Sequence, residues 1–261
     1  MNVTERRMAV LDLLQKSEVV ELAELAKQFD VSTMTVRRDL QIFQRQGLIS
    51  MNYGSAYLNK EVVVQEPSFV AKSNRQLAQK QAIGRLAAGF ICDDETIIID
   101  CGTTPLQVLK YLDNKRVTVI TNSMPVVSIV SANPKVKLIF APGEYYDNWA
   151  GVFGNMTMEF YSHLHADKVF MGAHGCSIEN GATQPAVEDA NTKRAIMAAG
   201  KEKFLLVDAS KFDHTYLMQN AQMGDFDHVI TDEGIDSDYR KQLEAVCRDV
   251  RYAGHSFQGD Q

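Results

Sequence analysis

The stretch from Val20 to Leu58 constrains this chain more than any other. Residues Glu21 to Phe29 set Leu22, Leu25, Ala26 and Phe29 on one face at helical spacing. A short polar break, Asp30-Val31-Ser32, keeps one apolar residue for burial, and the Ser32 hydroxyl suits the start of a second helix. That helix is expected from Thr33 to Gln46, stopping at Gly47, a residue suited to the position just past a helix end. Val36, Leu40 and Phe43 form its buried stripe, which leaves Thr33, Thr35, Arg37, Arg38 and Gln41 facing outward. Two helices joined by a tight turn, the second opening with small polar residues and then arginines, make a helix-turn-helix with its recognition helix. Leu48 to Met51 and Ser55 to Leu58, around a turn at Asn52-Tyr53-Gly54, add a hairpin wing.

A helical pair of this kind can also pack a small protein-binding domain. The adjacent Arg37 and Arg38 weigh against that reading, because a helix buried on a protein partner rarely exposes two neighbouring guanidinium groups. Double-stranded DNA is therefore the expected partner, with Ser32, Thr33, Thr35, Arg37, Arg38 and Gln41 as the expected contacts. Met8, Met34 and Met51 read as core or flank, with a thymine-methyl contact left open for Met34.

A net charge of -6 over 261 residues argues at first sight against nucleic acid. The charge is unevenly spread. Eight Lys/Arg against seven Asp/Glu leave residues 1–60 at +1, while nineteen against twenty-six leave the remainder at -7. An acidic body repels DNA and leaves the small domain to make the contact. A module at +1 is a weak electrostatic anchor, which favours a homo-oligomer, dimer or tetramer, gripping more than one half-site. No apolar run reaches about 18 residues and the N-terminus lacks the plan of a signal peptide, so a cytoplasmic, membrane-free protein is expected. Cys92, Cys101, Cys176 and Cys247 lie far apart without metal-like pairing and read as reduced core thiols.

The expected organisation is a DNA-binding domain at 1–58, a boundary segment at 59–68 and a larger domain at 69–261. Pro67 breaks any helix at that boundary, and Ser68 can cap the next one, expected from Phe69 to about Gly89. From Glu95 onward, apolar strands alternate with helices. Strands are expected at Thr96–Asp100, Val117–Thr121, Val136–Phe140, Lys168–Met171, Lys203–Asp208 and His228–Asp232. Helices are expected at Pro105–Leu112, Met124–Ser131 and Asn191–Gly200. Continuous β-branched strands between helices indicate an α/β fold, Rossmann-like, with a mostly parallel sheet covered on both faces. Ligands in such folds bind beyond the carboxyl ends of the strands.

At the first of those ends stands Asp100-Cys101-Gly102-Thr103-Thr104-Pro105. Gly102 lets the backbone turn, and Pro105 fits the first position of a helix. Backbone N–H groups and two threonine hydroxyls there suit a phosphate or another anion. The same segment also reads as an ordinary strand-to-helix turn capped by threonine. It is neither a Walker loop nor a dinucleotide fingerprint, since the chain has no G-x-G-x-x-G and no G-K-[ST].

The run V-S-T-M-T-V-R-R-D-L-Q-I-F-Q-R-Q-G-L-I, after E-L-A-E-L-A-K-Q-F-D, resembles the N-terminal signature of DeoR-family transcription regulators. The leading helix agrees, with Thr4 as cap and Arg6, Arg7, Val10, Leu11, Leu14 and Gln15 in the R-x-x-x-x-L-L pattern. The wing departs from the family, reading Met51-Asn52-Tyr53-Gly54-Ser55 where a basic residue and a His-Gly-Gly turn are usual, and its DNA contacts stay open. Lys80-Gln81-Ala82-Ile83-Gly84, D-C-G-T-T, Gly172-Ala173 and Asp208-Ala209-Ser210-Lys211 resemble the family's effector domain, itself similar to ribose-5-phosphate isomerase. The resemblance spans residues 4 to about 245. It implies a phosphorylated-sugar effector in contact with Gly102, its phosphate held by Thr103, Thr104 and Lys80, its sugar end lined by Asp100, Asn122, Lys193 and Lys211. A repressor relieved by that ligand is the expected function; an activator of the same architecture is an alternative.

Catalysis is the other alternative, as an isomerase with an appended DNA module. An aldose–ketose isomerase needs a carboxylate base near the sugar carbon. The isomerases carry acids after the Gly-Ala pair, where this chain has His174-Gly175, and a Glu before the later lysine, where it has Thr192 before Lys193. Glu188 and Asp189 lie a few residues early and are open as effector contacts. Binding without turnover, and no cofactor, is the expected reading. His163-x-His165 reads as an exposed loop or helix end rather than a metal site, and Cys101 as a small packed residue rather than a nucleophile. His174 is open between a ligand contact and a loop filler.

Overall fold

The computed structural model describes residues 6, 9–10, 13–14, 19–45, 49–52, 54–58 and 69–254. The chain divides into two compact units, Met1–Glu66 and Pro67–Gln261. Thr4, Arg7, Leu11 and Gln15 of the leading pattern, the stop at Gly47, Tyr53 of the wing turn and the segment 59–68 with Pro67 and Ser68 lie outside the described residues.

In the first unit, strand β1 (Val19–Glu21) leads into helix α1 (Leu22–Gln28) and, across a turn, helix α2 (Thr33–Arg45). Strands β2 (Ile49–Asn52) and β3 (Ser55–Leu58) form the wing hairpin, with β1 pairing antiparallel on the far side of β3. That third strand, of three residues, is too short to reveal itself by alternation. Leu22, Leu25, Val36, Leu40, Phe43, Ile49 and Ala56 pack into one core with Val10 and Leu14. Asp30 takes a positive φ of 51° in the turn, and the Ser32 hydroxyl accepts the Thr35 N–H at 3.1 Å, capping α2. Asp39 is buried on α2 beside Arg6, whose Nε donates to it at 2.8 Å.

The second unit opens with helices α3 (Phe69–Asn74) and α4 (Leu77–Ala88), not the continuous helix expected from Phe69 to Gly89. The break falls at Gln76, whose φ of 50° is left-handed and cannot continue an α-helix. Seven strands follow in one parallel sheet: β4 (Thr96–Ile99), β5 (Val117–Thr121), β6 (Val136–Phe140), β9 (Ala166–Met171), β12 (Gly200–Leu206), β14 (His228–Asp232) and β15 (Val250–Ala253). Their order is β15-β14-β12-β9-β4-β5-β6. Chain order runs outward from β4 to β6, then restarts at β9 on the other side of β4. The order in which the chain adds strands reverses between β4 and β9, the switch point at which α/β folds open a crevice.

Helices α5 (Met124–Val130), α6 (Asn155–Ser162), α7 (Val187–Ala199) and α8 (Ser237–Val246) cover the sheet or its edges. α7 begins four residues ahead of the expected Asn191, and α8, capped by the Asp236 carboxylate, has no expected counterpart. A 3₁₀-helix, Pro105–Tyr111, stands where an α-helix to Leu112 is expected. Two small antiparallel groups complete the unit: the hairpin β7 (Glu144–Tyr146) and β8 (Gly151–Phe153), and the sheet β10 (Gly175–Ser177), β11 (Gly181–Gln184) and β13 (Met218–Ala221). Two apolar clusters, one holding Ile98, Val169 and Leu205 and the other Ile97, Ile99, Phe170 and Phe204, occupy the two faces of the parallel sheet. Alternate residues of a strand point to opposite faces, so buried β-branched runs follow from this double cover.

Candidate functional site

At the switch point lies a cavity of about 540 Å³. Its wall is built from the turn after β4, the turn after β9, the end of β12 and helices α3, α4 and α7. The volume falls in the range of small-molecule sites. Lys80, Gly102, Thr103, Thr104, Lys193 and Lys211, six of the expected effector contacts, line this one cavity.

Close packing places them. Gly84 of α4 meets the 3₁₀-helix so tightly that a Cβ would stand 2.6 Å from Gln107 Cβ and 2.7 Å from the Gln107 carbonyl carbon. Lys80 lies one turn earlier on the same face of α4, so this contact carries its side chain to the turn. Gly102 is pressed on Pro105, where an added Cβ would lie 3.0 Å from the ring. Thr104 stands at the cap position of the 3₁₀-helix without a side-chain capping bond, so the capped-turn reading does not describe it. Among the described residues, the N–H groups of Thr103 and Thr104 find no acceptor in the protein. Unpaired N–H groups at a helix start suit an anion.

The charges agree. Lys72, Arg75, Lys80, Lys193 and Lys211 line the cavity beside Asp208. Burial pushes the Lys80 ammonium down to about 8; Asp208 opposes the shift, and Lys211, Lys72 and Arg75 add to it. Its Nζ donates to the Lys72 carbonyl. Lys193 is a different kind of lysine. Burial alone would lower it, but Asp100 and Asp189 outweigh that and hold it above the ordinary lysine range. Its ammonium bonds Asp100 and lies 3.7 Å from Asp189.

Asp100 and Asn122 are not among the residues that line the cavity. Asp100, 1% exposed, accepts from Lys193 and from the Gly172 N–H at 3.0 Å, tying the turn after β4 to that after β9. Asn122 is fully buried and donates to the Val152 carbonyl at 3.0 Å. Asp189 is buried with Lys193, and Glu188 is exposed.

Several lining residues were not anticipated as contacts. Lys72 and Arg75 come from α3 and the break after it, and Asp208 lies two residues past β12 much as Asp100 directly follows β4. Asp208 is 1% exposed; its Oδ1 accepts the Ser210 N–H at 3.2 Å, and Oδ2 has no hydrogen-bond partner among the described residues. A carboxylate at a strand end was the available signal. His174 lines the cavity too, with Nδ1 2.6 Å from Gln184 Oε1 and Nε2 3.5 Å from Lys72 Nζ. Cys101 donates to the Trp149 carbonyl, and burial followed by Asp100 pushes its thiol up to about 12, so it stays protonated and unreactive. Cys92 is exposed rather than in the core. His163 caps the end of α6 and His165 follows it, both exposed.

In the first unit, Thr33, Arg37, Arg38 and Gln41 are exposed on α2. Ser32 and Thr35 engage each other, their hydroxyl oxygens 2.9 Å apart. Arg37 flanks a hollow between α2 and the wing with Leu22, Met51, Asn52, Gly54 and Ser55.

Comparison with known proteins matches residues 6–62 to the DeoR-like helix-turn-helix domain and residues 75–233 to the DeoR C-terminal sensor domain. The chain belongs to the DeoR family. Across 88% of its length it is 31% identical to the HTH-type transcriptional regulator YgbI of Escherichia coli K12, covering 90% of that protein. It is 30% identical to the glycerol-3-phosphate regulon repressor of the same organism, over 89% of this chain and 92% of the repressor. The transcriptional repressor GlcR of Bacillus subtilis is 31% identical over 87% of this chain and 88% of its own. Among solved structures, ribose 5-phosphate isomerase A of Neisseria gonorrhoeae aligns with 51% of this chain and 52% of its own at 14% identity and a TM-score of 0.37. This DeoR-family protein is a DNA-binding transcriptional regulator, not an enzyme. No helix among the described residues is long and apolar enough to cross a membrane.

Proposed function

We propose that this regulator is a cytoplasmic repressor of a sugar-metabolism operon, relieved by a phosphorylated sugar bound in the cavity at the β4/β9 switch point. Residues 1–58 are the DNA-binding domain, 59–68 the connection and 69–261 the sensor. The observation that carries the reading is the convergence of the free Thr103 and Thr104 N–H donors with Lys80 and Lys211 on one cavity. A phosphate monoester supplies an anion matched to such donors and cations. Asp208 sets a carboxylate beside Lys80 at the cavity wall. Asp100 with Lys193 acts as the frame of the site rather than a contact, and Asn122 stands behind it. A buried carboxylate already bound to an ammonium is no base, which fits binding without turnover.

On DNA, Arg37, Arg38, Thr33 and Gln41 contact bases and phosphates, while Ser32 and Thr35 shape the helix start. A homo-oligomer presents paired modules to successive half-sites. Ligand relieves repression by favouring an arrangement in which the modules no longer fit both, which requires unequal affinity for the two arrangements. Calorimetric titration with pentose, hexose and triose phosphates tests the sensor reading. Saturable binding of one of them, abolished with the dephosphorylated sugar, is expected; no heat from any member of the panel contradicts it.

A further inference from the structure

Among the described side chains of helix α2, Met34 is the exposed large apolar one. Met34, Arg37, Arg38 and Gln41 follow at spacings of three and four, so they share one face of the helix. Val36, Leu40 and Phe43 are buried on the other side. Met34 is 58% exposed, so it is not core, and it is the second residue of α2. In helix-turn-helix proteins the N-terminal residues of the recognition helix meet base edges. A thioether offers only a weak acceptor to hydrogen-bond donors and nothing to a phosphate. The major groove presents donors and acceptors at every base pair but one apolar projection, the C5-methyl of thymine.

We propose that Met34 is a specificity-determining residue of this regulator, covering a thymine methyl in each half-site. The arginines beside it supply charge-assisted anchoring, and Met34 discriminates. Its flexible, polarizable side chain reaches a methyl group without a fixed geometry. The inference rests on the recognition-helix reading proposed above.

Duplexes enriched from a random-sequence library by the full-length protein serve as probes. Each thymine is replaced in turn by deoxyuridine, which removes the methyl and keeps the pairing edge, or by 5-bromodeoxyuridine, whose bromine fills the methyl's place. Gel-shift titration at fixed salt should find one thymine per half-site where deoxyuridine weakens the parent about fourfold and the bromo base restores it. Met34→Ala should bind the thymine duplex at least about fourfold more weakly and no longer distinguish the bases, while Met34→Leu keeps the distinction. A parent indifferent to deoxyuridine at every thymine, or a Met34→Ala protein as discriminating as the parent, overturns the assignment. Arg38→Ala in the same titration separates the two readings. If it binds every duplex weakly while the methyl test is flat, only the Met34 assignment falls; if it binds like the parent, the recognition-helix reading falls with it.

Discussion

A buried lysine with cations for neighbours is held in a strained protonation state, and Lys80 is such a residue. Burial holds its ammonium at about 8, against 10.5 for an unhindered lysine. Between those values the unfolded chain binds the proton more tightly, so the Lys80 contribution to stability rises with pH over that window. Anion binding has the opposite sign, because a phosphate favours the charged form. Affinity for a sugar phosphate should therefore hold steady below about pH 8 and fall by up to tenfold per pH unit above it. Calorimetry across pH 6.5 to 9.5 checks this, and Lys80→Met should flatten the profile while lowering affinity. Asp100 belongs to the same scale. Asp100→Ala removes the principal partner of the buried Lys193, and the loss should be about 3–5 kcal/mol in urea unfolding. These roles were unequally legible. The Thr103-Thr104 turn could be read from residue type and position and Lys80 only through the family resemblance, whereas Asp100 and Asn122 could not be separated from contacts, since burial is invisible in a strand-end motif. Lys72 escaped because the break at Gln76, just beyond its helix, leaves no mark in hydrophobic periodicity, and His174 stayed open between ligand contact and loop filler because the turn after β9 leaves none either.

Packing between elements, not any single side chain, sets the cavity's shape. Gly84 lets α4 lie against the 3₁₀-helix, and any larger residue must push the two apart. Gly84→Ala should destabilise by about 1–3 kcal/mol and weaken effector binding, because Lys80 shifts with the helix. Thermal unfolding beside calorimetry measures both. Strands β5 and β14, which carry β-branched runs, match the sequence expectation to the residue, since a strand buried on both faces has no polar side to blur it. The antiparallel strands β10, β11 and β13 were missed. They are three or four residues long and include glycines, too short for a period of two to show. Helix α8, capped by Asp236, goes unmarked for another reason: it buries only Tyr239 and Leu243, too few apolar positions to show a helical period.

At the scale of the molecule, an acidic protein with net charge -6 meets DNA through a module of +1. Each phosphate or base contact then matters more than in a basic protein. Arg38→Ala should cost about 1–3 kcal/mol per module, more than once in an oligomer, while fold and assembly state stay as they are. Gel shifts beside light scattering decide that. The central claim is that the switch-point cavity and the DNA helix are coupled, and Thr104→Val tests it most directly by removing one hydroxyl at the turn while leaving the other unit untouched. The measurement is operator affinity, by fluorescence anisotropy, as a function of sugar-phosphate concentration for parent and variant. A charged hydrogen bond is worth about 1.5–3 kcal/mol, so the variant should bind DNA like the parent without ligand yet need roughly ten- to a hundredfold more ligand for release. Parent and Thr104→Val proteins releasing DNA at the same ligand concentration, or a parent whose DNA affinity ignores every sugar phosphate, would contradict the account.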